Sequence, residues 1–152
     1  MKTFVFDIHG LSGTDQFGRF LAELMPDGGV VALAGPLGSG KTRLVQSVAE
    51  HCGVENGTVV SPTFMLIHEY NDGRCPIYHF DVYRLENEEE FRRLSPDDYF
   101  EGGGFVFIEW ADKFPAVLPA DYLEIRIEII NETDRRFHLT PHGQIDILLE
   151  RE

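Results

Sequence analysis

The sequence predicts an α/β fold: a central sheet, mostly parallel, with antiparallel strands at its edges. Three observations carry that reading. VVALA and FVFIEW are short, continuous apolar runs, as expected of strands buried on both faces. Stretches of helix length with an apolar stripe at 3.6-residue spacing lie beside them. Near the end LEIRIEII alternates instead, the habit of a strand with one wet face, so the tail reads as a hairpin.

The elements follow in order. FVFDI reads as a first strand. SGTDQFGRFLAEL places Phe17, Phe20, Leu21 and Leu24 on one helical face, with Ser12 or Thr14 as its cap. PDGG ends that pattern before VVALA. RLVQSVAEHC carries Leu44, Val45, Val48 and Cys52 on one side, and Gly53 is a fitting stop. A strand from about Met65 to Tyr70 meets the turn signal NDG and returns through IYHFDVYRL. ENEEEFRR is an acidic helix, GGG a break, and FVFIEW the next buried strand. In LEIRIEII, Leu123, Ile125, Ile127 and Ile129 share a face, and QIDILLE repeats the alternation.

The 152 residues are most simply one domain spanning 1–152, able to bury roughly two-thirds of the unfolded surface. The formal charge is −13 and there are three lysines, so the chain is poorly made to grip a phosphate backbone alone. If nucleic acid enters its biology, a partner does the holding. Cys52 and Cys75 cannot make a disulfide framework and fit two reduced thiols in or near a core. MKTFVFDIHG lacks the apolar length of a signal peptide, and no run of eighteen apolar residues is present. The expectation is a cytoplasmic protein that does not enter membranes.

GPLGSGKT, Gly35 to Thr42, fits G-x-x-x-x-G-K-S/T and lies between the buried strand and a helix pattern. Gly38 and Gly40 permit strained dihedrals that turn backbone N–H groups inward. Those donors continue through Ser39, Lys41 and Thr42 into a helix N-terminus, which favours an anion. Lys41 adds a charge at the β/γ-phosphates, and the Thr42 hydroxyl is a hard oxygen for Mg²⁺. A second acid should end a neighbouring strand, and FVFIE supplies Glu109. Trp110 either packs or touches a ligand or partner. In HFDVYR an extended chain sets His79, Asp81 and Tyr83 on one face, a wet surface or a site. Asp81 would order magnesium's water shell or orient an attacking water; Arg84 would offset phosphoryl charge or form a surface pair. SPTF, Ser61 to Phe64, is common turn chemistry and also a place where a threonine senses a γ-phosphate.

GPLGSGKT, SPTF, HFDVYRL and FIEW, in this order and from about Leu11 to Leu118, resemble the TsaE (YjeE) family, small bacterial ATPases needed to make threonylcarbamoyladenosine on transfer RNA. The resemblance implies a P-loop NTPase-like three-layer sandwich. It implies nucleotide contacts from Pro36, Leu37, Gly38, Ser39, Gly40, Lys41, Thr42 and Thr63, and a metal held by Thr42 and Glu109. It gives Asp81, Glu109 and Lys41 the catalytic work, with ATP/ADP and Mg²⁺ as cofactors. The implied partner is a TsaD–TsaB-type complex that such ATPases reset, with tRNA met only through it. Two departures stand out: Pro36 replaces an acidic residue often seen there, and Ser95 lies where a glycine is common.

Two other readings share these residues. A small-molecule P-loop kinase would add an arginine-bearing lid, and Arg135 and Arg136 lie in the tail, which reads as a hairpin. A nucleotide-dependent binding module would use the same loop without turnover. No internal arginine finger is evident, so hydrolysis in isolation should be slow. The lack of N-K-x-D favours ATP over GTP.

Overall fold

A computed structural model describes residues 2–55 and 66–145, and in it the apolar runs join one mixed sheet. The elements are β1 (Phe4–His9), α1 (Gly10–Leu24), β2 (Gly28–Ala34), α2 (Lys41–His51), β3 (Ile67–Tyr70), β4 (Ile77–Asp81), α3 (Glu88–Arg92), α4 (Pro96–Phe100), β5 (Gly104–Glu109), β6 (Tyr122–Ile129) and β7 (Asp134–His142). Two 3₁₀ turns, Ala111–Lys113 and Pro115–Val117, separate β5 from β6. The sheet order is β1-β7-β6-β2-β5-β4-β3. β2 lies parallel to β5 and β6, and β4 parallel to β5. β3 pairs antiparallel with β4, and β7 antiparallel with β6 and β1. The parallel centre with antiparallel edges is as predicted.

Period-two alternation divides the apolar side chains between two cores, which makes three layers. Val31, Leu33, Phe105, Phe107, Leu123 and Ile125 pack under Phe17 and Leu21 of α1 and Leu44, Val45 and Val48 of α2. Their neighbours Val30, Ala32, Val106 and Ile108 point the other way, onto Phe91, Phe114 and Val117. Cys52 is buried in the first core; burial pushes its thiol up to about 11, an unreactive state.

Several elements differ from the sequence reading. α1 starts at Gly10, not after Ser12 or Thr14, and no side chain caps it. Gly10, at φ 69, turns the chain straight from β1 into the helix and donates its N–H to Thr133 O at 2.9 Å. β4 stops at Asp81, so Tyr83 does not share a strand face with His79 and Asp81 and is 56% exposed. Ile129, at the end of β6, is not buried with Leu123, Ile125 and Ile127. α4 has no counterpart in the reading. The partner strand of β6 is Asp134–His142; the expectation for QIDILLE falls largely, and those for SPTF and Met65 wholly, outside the described residues.

Ser95 precedes α4 in the left-handed region, at φ 54 and ψ 54, with no side-chain cap bond. An L-residue there costs about 1–2 kcal/mol, part of which glycine's freedom in the unfolded chain takes back. Ser95→Gly is therefore expected to stabilise by about 1 kcal/mol, a rise of roughly 2–4 °C in Tm by calorimetry. An unchanged Tm would show that the turn relaxes without strain.

Candidate active site

The loop between β2 and α2 adopts the conformation its glycines permit. Gly38 has φ 79 and Gly40 φ 106, and a Cβ added at either would meet nothing within 4 Å. The glycines are needed for their dihedrals, and open space lies beside them. Gly40 is the N-cap of α2, so no cap side chain covers the amides of the helix's first turn. Helix-terminal amides without side-chain partners, together with the helix dipole, make an anion cradle.

Lys41 is buried, and its ammonium donates to Gly35 O at 2.7 Å and Pro36 O at 3.1 Å. The same nitrogen sits 3.9 Å from the centre of the Trp110 ring. Burial holds the Lys41 ammonium below the usual lysine range, opposed by the charges of Glu109, Asp81 and Asp112. Trp110 follows β5 in a left-handed conformation, φ 66, and its other neighbour is the Tyr83 ring at 4.8 Å. Trp110 thus packs against the lysine and also forms part of the wall of the loop's cleft.

Glu109 ends β5, buried. One of its oxygens, Oε2, accepts from the Thr42 hydroxyl at 2.7 Å and lies 2.5 Å from His79 Nε2. A proton on Nε2 satisfies that contact and leaves Nδ1 bare, in keeping with a buried Nδ1 that has no partner. Asp81 pairs in register with Glu109 at the ends of the parallel strands β4 and β5. Burial pushes the Asp81 carboxyl up, against the Tyr83 N–H that donates to it at 2.9 Å and with the help of Glu109's charge. Leu37, Gly38, Gly40, Lys41, Thr42, Arg43, Asp81, Glu109 and Trp110 thus line one cleft of about 250 Å³.

The chemistry of this cleft is of the kind that would hold phosphates together with Mg²⁺. Thr42 and Glu109 offer two hard oxygens side by side, and Mg²⁺ takes only one or two protein oxygens, filling its other positions with phosphate and water. Among the described residues no cluster of three or more His, Cys, Asp or Glu competes as a metal centre.

Of the residues singled out in the sequence, Leu37, Gly38, Gly40, Lys41, Thr42, Asp81, Glu109 and Trp110 come together. Pro36, which has no N–H to offer, contributes its carbonyl to Lys41 and to the Ser39 N–H. Leu37 stands 86% exposed at the loop's tip, and Ser39 is buried with an unpartnered hydroxyl. Thr63 lies outside the described residues. Sequence reasoning did not find that His79 anchors Glu109, that Arg43 forks onto Asp15 with two 2.8 Å bonds, or that Arg135 touches the loop. Only the strand period, which put His79 beside Asp81, hinted at the first.

Comparison with known proteins extends this picture. Residues 8–137 match the model of the family described as "Threonylcarbamoyl adenosine biosynthesis protein TsaE". A tRNA threonylcarbamoyladenosine biosynthesis protein TsaE from Synechocystis is 41% identical over 114 residues, covering 72% of this chain and 71% of its own. The Bacillus subtilis protein of the same name is 40% identical over 130 residues, covering 86% and 80%. The crystal structure of YdiB from Bacillus subtilis superposes with a TM-score of 0.78 at 32% identity, covering 93% of this chain and 87% of that one.

Proposed function

The chain belongs to the TsaE family, and from that premise we propose that it is an ATP-binding, slowly hydrolysing accessory ATPase in threonylcarbamoyladenosine biosynthesis on tRNA. It acts on a complex of the TsaD–TsaB type. The observation that carries this reading is the 2.7 Å hydrogen bond from Thr42 to Glu109, which joins the phosphate loop to the acid ending β5.

In this reading the amides of Gly38 and Gly40 and those opening α2 hold the phosphates, the Ser39 N–H being taken by Pro36 O, and Lys41 turns from the carbonyls of Gly35 and Pro36 to the β/γ-phosphates. Thr42 and Glu109 would hold magnesium, which when bound neutralises charge on the β- and γ-oxygens. His79 fixes the Glu109 carboxylate from behind. Asp81, its carboxyl pushed up by burial, orders water at the cleft. Arg43 lines the cleft but is engaged with Asp15. With that cation engaged elsewhere, hydrolysis by the protein alone is slow, and an arginine supplied by a partner is worth roughly 10³–10⁵ in rate.

The charge of −13 supports contact with tRNA only through the partner. No helix among the described residues is long and apolar enough to cross a membrane; the cytoplasmic location we assign rests on the family's work on tRNA. Phosphate release from ATP, measured for the protein alone and then with the two partner proteins and tRNA, tests the reading. Stimulation of roughly a thousandfold or more is expected, the lower end of what a supplied arginine gives. ATP-dependent complex formation without release would make the protein a binding module instead.

A further inference from the structure

Arg135, at the start of β7, makes all its bonds among the described residues to main-chain carbonyls. Its Nη1 donates to Asn131 O at 2.7 Å and Asp134 O at 2.9 Å, within the turn between β6 and β7. Its Nε donates to Ser39 O at 3.0 Å, and Nη2 reaches Gly38 O at 3.4 Å. The turn is itself pinned: Asn131 Oδ1 accepts from the N–H groups of Thr133 and Asp134, and Thr133 O accepts from Gly10. One side of the guanidinium is therefore fixed, and the other grips two consecutive peptides of the phosphate loop.

In a trans peptide the carbonyl and the next N–H point in opposite directions. Holding Gly38 O aims the Ser39 N–H back into the loop, where it meets Pro36 O at 3.0 Å. Holding Ser39 O turns the Gly40 N–H, at the mouth of α2, away from Arg135 and toward the cradle. We propose that Arg135 is a positioning residue that ties the β6–β7 turn to the back of the phosphate loop and sets its amides for phosphate. The inference rests on the phosphate-loop reading above. A planar fork with donors at fixed angles suits two adjacent carbonyls in a way a single ammonium does not.

The test uses ADP with Mg²⁺ as probe, titrated calorimetrically into wild type, Arg135→Ala, Arg135→Lys and Arg136→Ala. Amide hydrogen exchange at Ser39 and Gly40 is measured on the same proteins without nucleotide. Arg136 is the control, because it lies on the same strand and pairs instead with Asp7, at 2.8 Å. Both Arg135 variants should bind roughly tenfold more weakly, as loss of a charged hydrogen bond implies. Both should also exchange the two loop amides faster, while Arg136→Ala stays within about twofold of wild type.

Wild-type affinity and exchange in Arg135→Ala would overturn the proposal. So would full affinity in Arg135→Lys beside weak Arg135→Ala, since charge alone would then explain the effect. Should Arg135→Ala fail to fold, the lysine variant still decides. If wild type itself binds no ADP, the phosphate-loop reading falls and takes this inference with it, an outcome distinct from a failed tether.

Discussion

Glu109→Gln should reduce phosphate release from ATP by at least roughly a hundredfold, both alone and with partners, because a preorganised charge at a reacting phosphate is worth that much or more. Glutamine keeps the size of the side chain, and its carbonyl oxygen can still accept from Thr42 and from His79. What disappears is the negative charge that would hold a cation. The protein should remain folded, which separates chemistry from stability. Glu109→Ala reports the other half. It leaves the Thr42 hydroxyl and the fully buried His79 without the oxygen that bonds both. An unsatisfied buried polar group such as His79 costs about 1–3 kcal/mol, so the alanine variant should unfold at clearly lower denaturant concentration than the glutamine one. Equal turnover in wild type and Glu109→Gln, measured with saturating Mg²⁺, would remove Glu109 from the metal site.

Lys41→Met should weaken nucleotide binding by about 1.5–3 kcal/mol, roughly 10- to 150-fold by calorimetry. The same change should leave the nucleotide-free protein as stable as wild type or more so. Burial depresses the folded-state pKa of Lys41 below its unfolded value. A base depressed in this way contributes stability above the unfolded pKa and loses it as pH falls through the folded pKa. Neutral pH is on the unfavourable side, so the folded protein there carries the cost of a desolvated ammonium. Methionine keeps the length of the side chain beside Trp110 and removes that charge, together with the bonds to Gly35 O and Pro36 O. A variant that binds nucleotide normally, or one whose Tm falls by many degrees, contradicts this account of Lys41.

How much of this was legible in the sequence depends on the range of the interaction involved. Local rules found the loop, since Gly38 and Gly40 are needed for backbone dihedrals that only neighbouring residues decide. The alternation of Leu123, Ile125 and Ile127 likewise reported a buried face without further context. Helix α1 was misplaced at its start because its entry is set by Gly10 bonding to Thr133, a contact no capping pattern records. Tyr83 was put on the strand face because period two says nothing about where a strand stops. Arg135 was considered only as part of a lid, since its bonds to Gly38 and Ser39 cross most of the chain. The link from His79 to Glu109 was equally hidden: it exists only because β4 and β5 lie parallel and in register.

Parallel pairing also governs the order of events during synthesis. Val30 of β2 faces Val106 of β5, and Val31 faces Leu123 of β6, so the strand that carries the loop stays unpaired until those later segments have been made. Such distant closures are slow to form. A nascent chain cut off before residue 104 therefore has the whole glycine motif yet no strand beside it to hold it in shape. Nucleotide can act as a ligand for the finished protein but offers no foothold to the growing one.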